Sequence, residues 1–318
     1  MFQSKQLSLT SITSSDSIQP PLSNISQFTR FKGNYVLVGC IAKLDKHNKV
    51  YWLMQFSDIS ATIKVYYFAD ELDISTLTAN QLIHIEATVK THGNNQYIHC
   101  VCIEPIARHI SLRNLSIELL PRYFCPIPSL LPRLKYLFDA IQSKSLRKFV
   151  ATVLTEQTIG YRYLQCPASL RHHHAYAGGL LAHSIEVAEQ ILKNAEFNVQ
   201  ERDLGIVAGL LHDIGKVLTL TPQGSRTALG KVVDHDELTL EICAPALKIL
   251  DTENSFNAMM LRHLWTCASP NARYGYQAVT PIARVLQLAD NSSAKNKFTS
   301  PSNLGFYQVS PAIFSLGT

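Results

Sequence analysis

Residues 205–217 read GIVAGLLHDIGKV, and this stretch decides the architecture of the C-terminal half. Its apolar residues recur at three- and four-residue spacing, the period of a helix that buries most of its surface. Polar chemistry is confined to His212-Asp213 and Lys216, with Gly215 between them in the place of a helix-ending glycine. A carboxylate in so apolar a segment is costly to bury unless an ion partner or a metal holds it. Adjacent residues stand about 100° apart on a helix, so His212 and Asp213 reach a common point only where other ligands gather around it.

The same periodicity extends to either side, over residues 134–154, 178–194, 202–218, 236–250, 255–265 and 279–290. It predicts an all-α domain of five to seven helices over 132–294, followed by an irregular tail at 295–318. Within it, Leu180, His183 and Val187 share one helix side, and Leu181, Ile185, Ala188 and Leu192 the adjacent one. His183 thus sits at the edge of the buried stripe; taken alone, a histidine there is ordinarily a hydrogen-bonded core residue. Asp290 closes the apolar run ARVLQLAD and needs a partner for the same reason as Asp213, or else a capping or solvated position. Together, two imidazoles and two carboxylates on three helices make a ligand set for a hard-to-borderline divalent cation, Mn²⁺, Fe, Zn²⁺ or Mg²⁺.

Upstream the period changes to two. Strand-like runs fall at 34–44, 50–58, 61–70, 81–92 and 96–106, separated by the turns KHNK and GNN and by the insert ELDISTLTAN at 71–80, read as a short helix. Five strands with an insert between the third and fourth suit a small Greek-key barrel of the OB type, other antiparallel barrels remaining open on pattern alone. The expected organisation is a flexible Ser/Thr/Gln/Pro-rich leader at 1–31, an OB-type nucleic-acid-binding barrel at 32–110, a proline-rich linker at 111–131 and the helical domain. OB barrels hold single strands through aromatic stacking and basic side chains. Tyr51, Trp52, Tyr66, Tyr67 and Phe68 interleave with Lys43, Lys49 and Lys64. Alternation puts Lys64, Tyr66 and Phe68 on one face, the candidate strand-binding residues, although at least half of the aromatics are expected in the barrel core.

A 46% hydrophobic and 17% charged composition excludes wholesale disorder. The net charge of +5 permits a polyanionic partner without demanding one. The seven cysteines form no C-x-x-C pair, which argues against a zinc knuckle or disulfide framework and for reduced thiols. No signal-peptide pattern and no run of about 20 apolar residues is present, so a soluble cytoplasmic protein without a membrane partner is expected. A homo-oligomer is allowed.

His183, then His212-Asp213 within LLHDIGK, then Asp290, resemble the H…HD…D signature of the HD superfamily of metal-dependent phosphohydrolases. The string HHHAYAGGLLAHSIEVA at 172–188 is similar to the opening segment of two HD subgroups. One is the YhaM group of bacterial 3′–5′ exoribonucleases, which carry an OB-fold domain ahead of the HD domain. The other is the HD-like domain of MobH-class (TraI-type) conjugative relaxases, where a triple histidine is typical. The resemblance covers residues 32–290.

It implies a catalytic site with His183, His212, Asp213 and Asp290 as metal ligands and Asp213 bridging a second ion if there is one. GKVVDHDE resembles the family's Gly-Lys-x-x-x-His segment, which makes His235 a ligand for that second ion; locally, Asp234 and Glu237 also form a D-x-x-E capping-box pattern. His263 lies where the exoribonucleases also have a histidine. Their paired histidines would fall near Ala268 and Ser269, neither of which binds a metal, so one or two ions per chain are expected, Mn²⁺ first among the candidates. Of His172, His173 and His174, one or two would face the phosphate, with His173, His174, Lys216 and Asp213 as the catalytic set. The implied activity is hydrolysis of single-stranded RNA or DNA as a 3′–5′ exonuclease. The alternatives are an HD nucleotide phosphohydrolase and a non-catalytic nucleic-acid-binding factor of a mobile element.

Overall fold

Alternation of inward apolar and outward polar residues closes the N-terminal half on itself. The computed structural model describes residues 19–68, 77–106, 116–268 and 272–295. Strands β1 (Arg30–Leu44), β2 (Val50–Ser57), β3 (Thr62–Tyr67), β4 (Gln81–His92) and β5 (Asn95–Pro105) form a closed barrel in the order β1-β2-β3-β5-β4. Every pairing is antiparallel except β3 with β5, which run parallel at Val65 and Ile98. The barrel is OB-like, as expected. Closure depends on β1, whose first half pairs with β4 and second half with β2, across a bulge between Leu37 and Gly39 that bends the strand. Tyr35, Leu37, Met54, Phe56, Val65, Ile83 and Ile85 fill the interior. The helix expected in 71–80 lies outside the described residues for 71–76, and the remainder turns into β4.

The barrel begins earlier than residue 32. A 3-10 turn at Leu22–Gln27 buries Leu22 and Ile25 in the barrel core. The Gln19 amide exchanges two 2.7 Å hydrogen bonds with the Asn34 backbone, and the Tyr35 hydroxyl donates to the Pro20 carbonyl. Residues 19–31 are therefore packed chain rather than leader. Residues 1–18 lie outside the described residues.

The linker is equally structured where it is described. Two 3-10 turns, Ile117–Leu119 and Arg122–Phe124, lay Ile117 and Leu120 into the helical core. Nine α-helices follow among the described residues: α1 (Leu130–Ala140), α2 (Lys144–Leu154), α3 (Gln157–Gln165), α4 (Gly179–Leu192), α5 (Val199–Leu211), α6 (Lys216–Thr219), α7 (His235–Glu253), α8 (Ser255–Thr266) and α9 (Pro281–Lys295). This exceeds the expected five to seven because the apolar run at 134–154 is broken in two. There the buried Asp203 carboxylate accepts the Gln142 and Ser143 amides at 3.0 and 2.7 Å, and Ser143 caps α2. The short helices α3 and α6 add the rest. Asn198 and Glu201 form a full capping box at α5, whereas Asp234, where that pattern was read, makes no side-chain cap. All seven cysteines are free thiols, and no helix among the described residues is long and apolar enough to cross a membrane.

One buried carboxylate ties the pieces together. Asp58 accepts the Leu22 amide with one oxygen and the Ser60 amide, Ser60 hydroxyl and Ala61 amide with the other, at 2.7–2.9 Å. Its own carbonyl accepts the Arg122 amide, and the next amide, Ile59, donates to Glu118. Ile59 inserts into the helical core although it leaves the barrel directly. At a second point Asn80, before β4, offers its carbonyl to Gln157 and Tyr161 of α3. Removal of the hub carboxylate strands several donors, one of them buried. Asp58→Ala is expected to destabilise the barrel by about 3 kcal/mol, read as a lower urea midpoint, and Asp58→Asn by less.

Candidate metal centre and nucleic-acid face

Three helices and one turn deliver the polar cluster. α4 carries His183, fully buried; α5 ends at Leu211 and is followed by His212 and Asp213; α9 carries Asp290. The His183 and His212 Nε2 atoms lie 3.1 Å apart. Asp290 Oδ1 is 3.1 Å from the first and 3.5 Å from the second, and Asp213 Oδ2 is 3.4 and 3.5 Å from them. The four residues expected as ligands are thus brought together around one point.

Hydrogen bonds behind the cluster decide what faces it. His212 Nδ1 lies 2.8 Å from the Gly209 carbonyl, which can only accept, so this nitrogen carries the proton. His183 Nδ1 lies 3.0 Å from the Ser293 hydroxyl, which itself donates to Glu186 at 2.7 Å. Both Nε2 atoms therefore point at two carboxylates. Such an arrangement is repulsive unless positive charge sits among the four donors. Donor separations of 3.1–3.5 Å match the roughly 3–3.4 Å between neighbouring ligands each about 2.1 Å from a shared ion. The residues fit a divalent cation.

The electrostatics agree. Burial pulls His183 down, but hydrogen bonds to Asp213 and Asp290 outweigh it and push its pKa up to about 9. Burial raises Asp213, yet His212, Lys216 and the His183 and His235 contacts hold it well below the ordinary carboxylate range. Asp290 is likewise lowered against its burial by His183 and His212.

The remaining site residues divide. His235, the first residue of α7, sits 3.1 Å from the other Asp213 oxygen and 3.2 Å from Asp236, a second group of possible ligands. Lys216 grips Asp213 itself, so its charge is spent on the ligand rather than turned toward a substrate. His263 joins neither group; its Nε2 accepts the Val279 amide at 3.3 Å. It is a helix-α8 residue tied to the chain entering α9, and the structure does not bring it to the cluster with the other expected ligands. Ala268 pairs with the Tyr276 backbone, and Ser269 lies outside the described residues.

Of the three consecutive histidines, His172 is exposed and His173 half-buried with its ring 5.4 Å from that of His183. Burial keeps His173 below the usual imidazole pKa. His174, expected among the catalytic residues, is fully buried at its side chain and bonded to Tyr176 (2.8 Å) and Glu186 (3.2 Å), behind the cluster rather than in it. Gly215 does not end a helix by a left-handed turn, as its position suggested. Its φ is −56°, and it is glycine because a Cβ there would lie 1.9 Å from the His235 carbonyl oxygen. The close approach lets His235 reach Asp213. Glu186, Ser293, Tyr176 and Asp236 escaped the sequence reading. For the first two a signal existed: each stands three residues after a ligand on the same helix.

The barrel presents a second surface. Trp52 goes into the core and Tyr67 packs against it, but Tyr51, Tyr66 and Phe68 stay outside, more than the expected half. Tyr66 and Phe68 lie nearly parallel with centroids 6.3 Å apart. Tyr51 is 5.6 Å from Phe68, Tyr97 meets Tyr66 edge-on, and His99 lies 5.5 Å from Phe68. Exposed Lys64 is on the same strand face; Lys43 is in register with Tyr51 and Lys90 with Tyr97.

Residues 180–295 match the HD domain family model, so the helical region carries an HD domain. The chain is similar to the 3′–5′ exoribonuclease YhaM of Shouchella clausii, 24% identical over 233 residues and 70% of each chain. It is also similar to that of Bacillus pumilus, 22% identical over 248 residues and 76% of each. A shorter similarity, 36% over 98 residues, covers 26% of this chain and 39% of the dihydroneopterin 2′,3′-cyclic phosphate phosphodiesterase of Methanocaldococcus jannaschii.

A cation bound between these donors displaces the His183 proton, since both occupy the same lone pair. With His183 near 9 in chelator-stripped protein, against an unfolded value of 6.5, Mn²⁺ affinity is expected to rise about tenfold per pH unit between pH 7 and 9. Calorimetry in buffers of different ionisation enthalpy should count about one proton released per ion near pH 7. In the stripped protein the same shift stabilises the fold fully below pH 6.5, and this stabilisation is lost as pH rises through about 9.

Proposed function

We propose that this protein is a metal-dependent phosphodiesterase acting on single-stranded RNA or DNA as a 3′–5′ exonuclease, with Mn²⁺ as the preferred cation. The observation that carries the reading is the convergence of two imidazole lone pairs and two carboxylates inside an HD domain. His183, His212, Asp213 and Asp290 would hold the first ion, and Asp213 with His235 a second. A divalent cation so held supplies Lewis acidity and lowers the pKa of water toward neutrality. Lys216 keeps the shared Asp213 carboxylate oriented. His173, neutral at pH 7 and without a side-chain hydrogen bond among the described residues, is the group to meet the phosphate or to protonate the leaving oxygen.

The barrel supports a polymeric substrate. Its outward aromatic face, flanked by lysines, suits bases stacking in succession while the backbone follows positive charge. The similarity to two exoribonucleases runs over most of the chain. One observation favours a second reading, hydrolysis of a small phosphoester: the higher identity to a cyclic-phosphate phosphodiesterase, restricted to a short segment.

End-labelled single strands and a panel of nucleotides, incubated with Mn²⁺, separate these readings. A ladder from the 3′ end that Asp213→Ala abolishes supports the exonuclease. Cleavage of the small substrates alone supports the second reading, and strand binding without hydrolysis under any divalent metal defeats both. Replacing Tyr66 and Phe68 by alanine is expected to weaken strand binding tenfold or more, at about 1–3 kcal/mol per stacked base, while leaving hydrolysis of a dinucleotide unchanged.

A further inference from the structure

We infer that Ser293 and Glu186 are positioning residues of the cation site, which lock the tautomer and orientation of His183 and staple the two ligand helices α4 and α9 together. The inference rests on the metal-dependent reading above. Its basis is a chain of four hydrogen bonds running behind His183, of which the three that join His183, Ser293, Glu186 and His174 each have only one consistent direction.

Tracing the protons fixes those directions. Glu186 is a carboxylate whose Oε2 lies 2.7 Å from the Ser293 hydroxyl and 3.2 Å from His174 Nε2. A carboxylate only accepts, so Ser293 spends its single proton there and His174 donates from Nε2. With that proton spent, the Ser293 oxygen can only accept from His183 Nδ1, 3.0 Å away. Nδ1 must then carry a proton, and Nε2, aimed at His212, Asp213 and Asp290, is the nitrogen whose lone pair a cation would take. At the other end, His174 Nδ1 lies 2.8 Å from the Tyr176 hydroxyl. Ser293 is fully buried, so water does not replace either of its partners.

The chain also has a geometric effect. His183 and Glu186 lie one turn apart on α4, and Asp290 and Ser293 one turn apart on α9. The Ser293–Glu186 bond therefore sets the distance at which the ligands His183 and Asp290 face each other. Through His174, whose φ is +51°, Glu186 also anchors the loop that places His173 beside His183.

The test titrates Mn²⁺ alone into the chelator-stripped full chain by calorimetry, with melting of the metal-free proteins as a control. Ser293→Ala and the isosteric Glu186→Gln should each weaken Mn²⁺ binding roughly 10- to 100-fold, the usual effect of losing a group that orients a metal ligand. Ser293→Thr, which keeps the hydroxyl, should stay within about threefold of wild type, and the double variant Ser293→Ala with Glu186→Gln should bind no more weakly than the worse single one, because both cut one path. Binding by Ser293→Ala within about twofold of wild type overturns the inference, as do fully additive losses. Wild-type protein that binds no Mn²⁺ sinks the metal reading itself. Wild-type binding that Asp290→Ala destroys and Ser293→Ala leaves intact sinks only the positioning role.

Discussion

The burial of Asp213 is the constraint on which the rest of the helical domain depends. A carboxylate at 5% exposure inside an apolar bundle is tolerable only among compensating groups. Here it has them on every side: His183 and His212 at one oxygen with Lys216, His235 at the other. Each compensating group comes from a different piece of chain, so solving the charge problem also dictates how α4, the end of α5, α6 and α7 meet. Gly215 belongs to the same solution, since only the absence of a side chain lets the start of α7 close on the turn after Asp213. Stability and ligand geometry are one requirement here: the packing that keeps the charge from being stranded is the packing that aims the donors.

A similar economy governs the junction of the two domains. Asp58 gathers the segment before β1, the β2–β3 turn and the strap leading to α1, while Ile59 crosses from one hydrophobic core to the other. A second fastening at Asn80 holds the far side of the barrel to α3. Two attachments at separate points restrict hinge motion in a way that a single linker does not.

Periodicity and costly burial were legible from residues alone. The period-two runs gave all five strands, with bounds that differ most at the start of β1 and the end of β3, and the apolar context of His212-Asp213 and Asp290 pointed to a shared centre. What stayed hidden depended on contacts between distant positions. Nothing near Leu22 announces that it will fill a barrel closed by residue 88, and no local feature of Ser143 shows that Asp203 will end the helix before it. The resemblance of His263 to a family position says nothing about the amide of Val279, which donates to its Nε2. Gly215 misled differently: the residue type was read correctly as special, but the reason was tight packing rather than a left-handed turn. Glu186 and Ser293 could have been found by asking which polar residues share a helix face with the ligands.

On the proposed exonuclease reading, the double fastening between barrel and bundle would set the size of what is left of a degraded strand. With the aromatic face and the cation cluster held on a common frame, the path between them would have a set length in nucleotides. A strand longer than that path would be held at both ends of the frame, and one shortened below it would keep only the grip near the cluster. The frame thus acts as a caliper: rapid shortening of long strands would give way to slow release of a short remnant whose length is written into the docking of Asp58, Ile59 and Asn80 rather than into any base.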